Sequence, residues 1–220
     1  MPLATPKVPV RLPGEEEASW VDLKDELNRN RMLFLCNELE AELSNEIIGL
    51  LIYLGMEDNN PLYFFINSTG GEVINGMAIS NIMEFIPSCV ITICLGIAAS
   101  TASYILASGQ SKKRVALPHA RVMIHQPSAN LFYPKKDKDK DKDKDKDKDK
   151  DKDKEESESI DSLYSEMAEL LTLRETLARS YSKKTGKPLW IISQDLERDV
   201  YMSATEAKAY GIVDRIIDKF

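Results

Sequence analysis

The chain has 220 residues, 43% of them hydrophobic, which is enough for one well-buried core or at most two small ones. A net charge of −7 argues against nucleic acid as the main partner, and the lack of any run of 18 apolar residues argues against a membrane span. Cys36, Cys89 and Cys94 are an odd number without C-x-x-C spacing, which fits a reducing compartment better than a secreted disulfide scaffold.

In chain order, residues 1–18 carry Pro2, Pro6, Pro9 and Pro13 and then Glu15-Glu16-Glu17, a density of proline that forbids helix and predicts an extended, mobile segment. Residues 19–28 read as a short helix and Arg31–Leu35 as a strand. From Ser44 the run Ile47-Ile48-Gly49-Leu50-Leu51-Ile52-Tyr53 predicts a buried helix ending near Gly55. Leu62–Ile66 is a short aromatic strand, followed by a turn at Asn67-Ser68-Thr69-Gly70-Gly71 and a helix that stops at Pro87. Val90–Leu95 is β-branched and apolar enough for a buried strand, with a small-residue helix after it from about Ser100 to Ser108. Arg114–Ala116 and Arg121–Ile124 read as two more strands.

The segment Asp137 to Lys154 is an unbroken Asp-Lys alternation. It has nothing apolar to bury, and a period of two places like charges at i,i+4, so a solvated loop is expected rather than a helix. Without it 47 of 202 residues are charged, an ordinary level, so the rest of the chain reads as a normal domain. From Ile160 to Tyr181 apolar residues return at helical spacing. Ser203-Ala204-Thr205-Glu206 is a capping box for a short helix that Gly211 ends, and Val213–Ile217 closes with a strand. The alternation of strands and helices predicts an α/β fold.

A hydroxyl, an imidazole and a carboxylate are the parts of a nucleophile–base–orienter relay. For the hydroxyl, a strand-to-helix turn suits a nucleophile because helix N-terminal amides face developing negative charge, but spacing alone does not separate Ser100 from Ser103. The imidazole must come from His119 or His125; His125 ends an apolar strand, whereas His119 follows Pro118 in a turn. Asp199 competes with Asp195 and Glu197, either of which could pair with Arg198 or cap a helix. Gly70-Gly71 is either a plain turn or a place where backbone amides approach a ligand closely.

Several motifs together resemble the Clp protease proteolytic subunit family (ClpP), above all its plastid-encoded members. They are Pro6-Lys7-Val8-Pro9 with Gly14-Glu15-Glu16, Phe64-Phe65-Ile66-Asn67-Ser68-Thr69-Gly70-Gly71, Gly96-Ile97-Ala98-Ala99-Ser100, Pro118-His119-Ala120-Arg121-Val122-Met123-Ile124-His125-Gln126-Pro127, and Glu197-Arg198-Asp199 through Ser203-Ala204. The resemblance covers almost the whole chain outside the charged tract. It implies a ClpP/crotonase-like ββα superhelix with a protruding strand-helix handle. On it, residues 19–220 would be a single peptidase domain carrying a charged insertion at about 134–158 in the handle. The implied activity is that of a serine endopeptidase, with Ser100 as nucleophile, His125 as general base and Asp199 as its orienter. The backbone amides of Gly71 and Thr101 would form the oxyanion hole, and Tyr63, Phe65 and Phe85 could line pockets that dock an unfoldase. No metal and no cofactor are implied. The expected partners are related subunits in heptameric rings stacked in pairs, homomeric or mixed, an AAA+ Clp ATPase unfoldase, and unfolded proteins. The expected location is the chloroplast stroma, with plastid encoding inferred from an N-terminus unlike a transit peptide.

The chain departs from the family pattern in three places. Many members have Pro at the position of Thr69 and Met at that of Thr101, and many have a Gly-rich handle where this chain has no glycine between Gly109 and Gly186. Two other readings stand beside the peptidase. One is a catalytically silent subunit of a mixed ring; the other is a hydratase or isomerase of acyl thioesters, for which neither an acid/base carboxylate pair nor a nucleotide site is marked.

Overall fold

The computed structural model describes residues 6–11, 18–127 and 149–218, with side chains from residue 164 onward in the last of these. It opens with a two-stranded antiparallel ribbon, β1 (Lys7–Val10) against β2 (Ser19–Asp22), in which Pro9 lies opposite Trp20. Part of the expected extended segment is therefore paired, and the expected helix over 19–28 begins only at α1 (Leu23–Arg29). A two-stranded ribbon asks each strand for only alternate N–H groups, so a proline at a non-bonded position is tolerated.

The central sheet has seven strands: β3 (Met32–Leu35), β4 (Leu62–Ser68), β5 (Val90–Ala99), β6 (Val115–Ala116), β7 (Arg121–Ile124), β8 (Val200–Ser203) and β9 (Arg215–Ile216). The order β3-β4-β5-β6-β9 is parallel throughout; β7 also pairs parallel to β5, and β8 pairs antiparallel to β7. Helices α2 (Ala41–Glu57), α3 (Val73–Phe85) and α4 (Thr101–Ala107) connect the first strands. The C-terminal part supplies α5 (Asp149–Thr185), α6 (Leu189–Asp195) and α7 (Ala204–Tyr210). The expected α/β architecture holds.

The core follows the strand pattern. Phe64 and Ile66 of β4, Leu33 and Leu35 of β3, and Cys94 and Ala98 of β5 are essentially inaccessible. β5 is buried on both faces, as a central parallel strand must be, and is therefore written in Val, Ile and Cys rather than in alternation. It runs four residues beyond the expected strand end at Leu95. Gly96–Ala99 carry the strand past a register shift, since Ile66 pairs with Cys94 but Ser68 with Ala98. Asn67 fills the irregularity by accepting the Ile97 N–H through Oδ1 at 3.0 Å, and a Cβ at position 96 would lie 2.6 Å from that oxygen. The shift lets β5 change partners, from β6 at Ile93–Cys94 to β7 at Ile97–Ala99.

Two C-terminal elements differ from expectation. α5 starts at Asp149, so the last residues of the Asp-Lys tract are helical although a loop was expected. Extending an existing helix needs no new nucleus, and that outweighs the poor charge spacing. The remainder of the tract, and with it the strand of the expected handle, lies outside the described residues. The strand β8, Val200–Ser203, was not among the expected elements; it runs from just past Asp199 to the capping residue of α7.

Candidate active site

Sheet register assembles the site. β5 and β7 run side by side with Ala99 paired to Met123, so the residues just past the strand ends, Ser100 and His125, emerge at one edge. β7 and β8 run opposite ways with Ile124 paired to Val200, so the next pair outward is His125 and Asp199. His125 Nδ1 lies 3.1 Å from Asp199 Oδ1, and His125 Nε2 lies 2.8 Å from Ser100 Oγ. An ionised carboxylate only accepts, so the imidazole proton sits on Nδ1 and Nε2 is left to accept the Ser100 hydroxyl proton. Burial falls along the line: the His125 side chain is 28% exposed and that of Asp199 60%.

The alternatives left open by the sequence are separated by what each group touches. Ser103 Oγ donates to the Ser100 carbonyl at 2.6 Å and faces Tyr181, away from His125. His119 is exposed in a turn. Asp195 accepts from the Tyr210 hydroxyl at 2.8 Å, and Glu197 lies 3.4 Å from Arg174. Only Ser100, His125 and Asp199 meet.

Ser100 sits between β5 and α4 with φ 53° and ψ −125°, a conformation that non-glycine residues rarely hold and that stores on the order of 1–3 kcal/mol. Its amide donates to Met123 O at 2.9 Å, which ties the turn to β7. The strain projects the hydroxyl outward and leaves the Thr101 N–H, at the first position of α4, without an intrahelical acceptor.

The Gly70-Gly71 turn packs against this elbow. Gly70 has φ 99°, and a Cβ there would come within 2.9 Å of both Ser100 Cβ and the Thr101 nitrogen. Gly71 has no room for a side chain because the Leu39 backbone occupies the place. Leu39 N donates to Gly70 O at 2.7 Å and Leu39 O accepts from Glu72 N at 3.4 Å, a bridge that skips the Gly71 N–H. Among the described residues that N–H has no backbone acceptor. The Thr101 hydroxyl donates to Gly71 O at 2.7 Å, so this threonine joins the elbow to the glycine turn.

Two cavities flank Ser100 and His125. An open groove of about 460 Å³ is lined by Glu38, Glu40, Thr69, Gly71, Glu72 and Met123. On the other side a narrow pocket is walled by Val73, Tyr104, Gln126, Pro127 and Leu177. Sequence reasoning did not find these walls. Tyr104 and Leu177 carry the spacing of core residues and acquire a site role only through the docking of α5 on α4.

Of the expected docking aromatics, Tyr63 and Phe65 lie on the face of β4 opposite Phe64 and Ile66. Phe65 stacks on Phe34 with centroids 5.0 Å apart, and Phe85 is 76% exposed at the end of α3. Among the described residues no group of three or more His, Cys, Asp and Glu side chains could hold a metal ion, and no helix is long and apolar enough to cross a membrane.

The family model described as Clp protease matches residues 14–144 and 154–220, breaking only inside the Asp-Lys tract. The ATP-dependent Clp protease proteolytic subunits of Nicotiana tabacum and Eucalyptus globulus subsp. globulus are each 50% identical to this chain over 217 residues, covering 98% of both chains. That of Daucus carota is 51% identical over the same length and coverage. With the family model matching most of the chain and relatives half identical along nearly its whole length, the chain belongs to the Clp protease family and is a peptide-bond hydrolase.

Proposed function

We propose that the chain is the proteolytic subunit of an ATP-dependent Clp protease and acts as a serine endopeptidase. The observation that carries this reading is the unbroken hydrogen-bonded line from Ser100 through His125 to Asp199, beside the amides of Gly71 and Thr101, which have no backbone acceptor among the described residues. An extended peptide would lie in the open groove, with one side chain in the narrow pocket beside Leu177. Ser100 Oγ attacks the scissile carbonyl carbon while its proton passes to His125 Nε2. The Nδ1–H stays donated to Asp199, which orients the ring and stabilises the imidazolium. The carbonyl oxygen becomes an oxyanion that accepts from the N–H groups of Gly71 and Thr101. Collapse breaks the C–N bond, His125 returns the proton to the leaving amine, and a Ser100 ester remains. Water, deprotonated by His125, hydrolyses that ester by the same route reversed.

In this reading residues 19–220 form one peptidase domain, and the tract at about 134–158 is an insertion; the break in the family match supports its placement. Subunits would form heptameric rings stacked in pairs, fed with unfolded proteins by an AAA+ ATPase docked on the aromatic surface that includes Tyr63, Phe65 and Phe85. The flowering-plant relatives support a plastid location, the chloroplast stroma. The test is cleavage of a fluorogenic peptide by the assembled protein. Ser100→Ala and His125→Ala each lower kcat by about 10⁴-fold or more. Full activity in either variant contradicts the assignment.

A further inference from the structure

An oxyanion donor is aimed by its peptide plane, so whatever holds the carbonyl of that plane also aims the N–H at its other end. The Gly71 N–H belongs to the plane of Gly70 C=O, which is held by Leu39 N at 2.7 Å. The Thr101 N–H belongs to the plane of Ser100 C=O. That carbonyl accepts three times: from Ser103 N at 3.0 Å, Tyr104 N at 3.3 Å and the Ser103 hydroxyl at 2.6 Å. The hydroxyl bond is the shortest. Ser103 has one proton to give and gives it here, so in its contact with Tyr181, at 2.7 Å, the phenol is the donor.

Tyr181 lies on α5, far along the chain from the elbow, and is 1% exposed; Ser103 is fully buried. Burial pushes the Tyr181 phenol well above its ordinary range, so it stays protonated and remains a donor across the working pH. Its ring is held edge-on by Tyr104, with centroids 5.6 Å apart. Strained backbone persists only where the surroundings over-determine it, and here the added constraint comes from a second element.

Resting on the oxyanion-hole reading above, we propose that Ser103 and Tyr181 are positioning residues. The relay Tyr181 Oη–H to Ser103 Oγ–H to Ser100 C=O fixes the Ser100–Thr101 peptide and aims the Thr101 N–H at the oxyanion. Neither side chain touches substrate. The relay acts where negative charge develops, so its loss slows the chemical step and leaves ground-state binding alone.

The experiment uses the assembled full-length protein, a fluorogenic peptide, and the variants Ser103→Ala, Tyr181→Phe and the two combined. Ser103→Ala lowers kcat by about 10- to 100-fold, less than outright loss of an oxyanion donor, with KM changed less than about twofold. Tyr181→Phe has a smaller effect of the same kind, and the double variant loses no more than Ser103→Ala, because the two act in series. Ser80→Ala removes a buried hydroxyl pair at the far end of α4, Ser80 Oγ to Ser108 Oγ at 2.8 Å, and leaves kcat unchanged. Unchanged kcat in Ser103→Ala, a loss expressed in KM, effects that multiply in the double variant, or an equal loss in Ser80→Ala each overturns the relay. Fluorophosphonate labelling of the wild type separates this from the parent reading. A wild type that labels on Ser100 while the relay variants stay fully active sinks only the relay, whereas a wild type that does not label sinks both.

Discussion

Two carboxylates of the C-terminal part are tied back to the sheet, one by a guanidinium and one by an imidazole, and the two pairs are built in opposite ways. Arg114 and Asp214 form a locked pair: Nη2 lies 2.7 Å from Oδ1, Nε and the Arg114 amide donate to Oδ2 at 2.9 and 3.0 Å, and a further guanidinium N–H reaches Lys184 O at 2.9 Å. Their side chains are 7% and 20% exposed. His125 and Asp199 share one bond, and the carboxylate is mostly in solvent. The first pair fastens the end of α5 and the strand β9 to β6 and has no step to perform. The second must let an imidazole gain and lose a proton, so a single contact at one ring nitrogen suffices. Rigidity in this site is placed instead at the nucleophile, where Ser100 is strained and held from three directions.

Substitutions at the two pairs break the comparison in different observables. Asp199→Asn leaves folding intact and lowers kcat by about 10²- to 10⁴-fold, towards the lower end because the exposed carboxylate shares its field with water. Peptidase kinetics on assembled protein checks this, and a loss of assembly instead of activity would place Asp199 with the structural pair. Asp214→Asn does the reverse: it costs about 3 kcal/mol of stability by leaving a buried guanidinium under-compensated, with kcat per folded active site unchanged. Denaturant unfolding beside an active-site titration separates the two.

The locked pair also has a pH signature. Burial alone would push the Asp214 carboxyl up, but the hydrogen bonds and charge of Arg114 outweigh it and hold it below its ordinary value. A carboxyl depressed in the folded state contributes stability that is fully present above its unfolded pKa, about 3.9, and is lost as pH falls through the lower folded value. The stability gap between wild type and Asp214→Asn is therefore constant from neutral pH down to about pH 4 and narrows below it. A gap that widens on acidification would reverse the assignment. The smallest effect is expected at the end of β8, where the Ser203 side chain caps α7 by accepting from Glu206 N. Ser203→Ala costs about 1 kcal/mol with little change in kcat, since α7 does not line the site.

The same contrast explains what the sequence made legible. The buried parallel strands β3 to β5 announce themselves by β-branched and aromatic runs, and the cap and stop of α7 by Ser203 and Gly211. Asp199 was singled out by resemblance alone, because its pairing with His125 depends on the register of β7 with β8. β8 has only four residues, and Tyr201 at 62% exposure hides its alternation. Ser100 and Ser103 share one small-residue run, and a positive φ, invisible in composition, distinguishes them. The strand end expected at Leu95 fell short for a related reason: Gly96 reads as a break in a strand, but here it is the residue that lets Asn67 close against the backbone while β5 runs on to Ala99. The helical start of α5 inside the charged tract was missed because propagation from a well-packed segment overrides local charge spacing.

The central claim is that Ser100 is a nucleophile activated by an assembled relay. Its most direct test is fluorophosphonate labelling of the native assembly, with the modified residue located by mass spectrometry and Ser100→Ala as control. The account predicts one adduct, on Ser100, absent from the control and strongly slowed in His125→Ala. No adduct on the native assembly, or an adduct on Ser103, would contradict it.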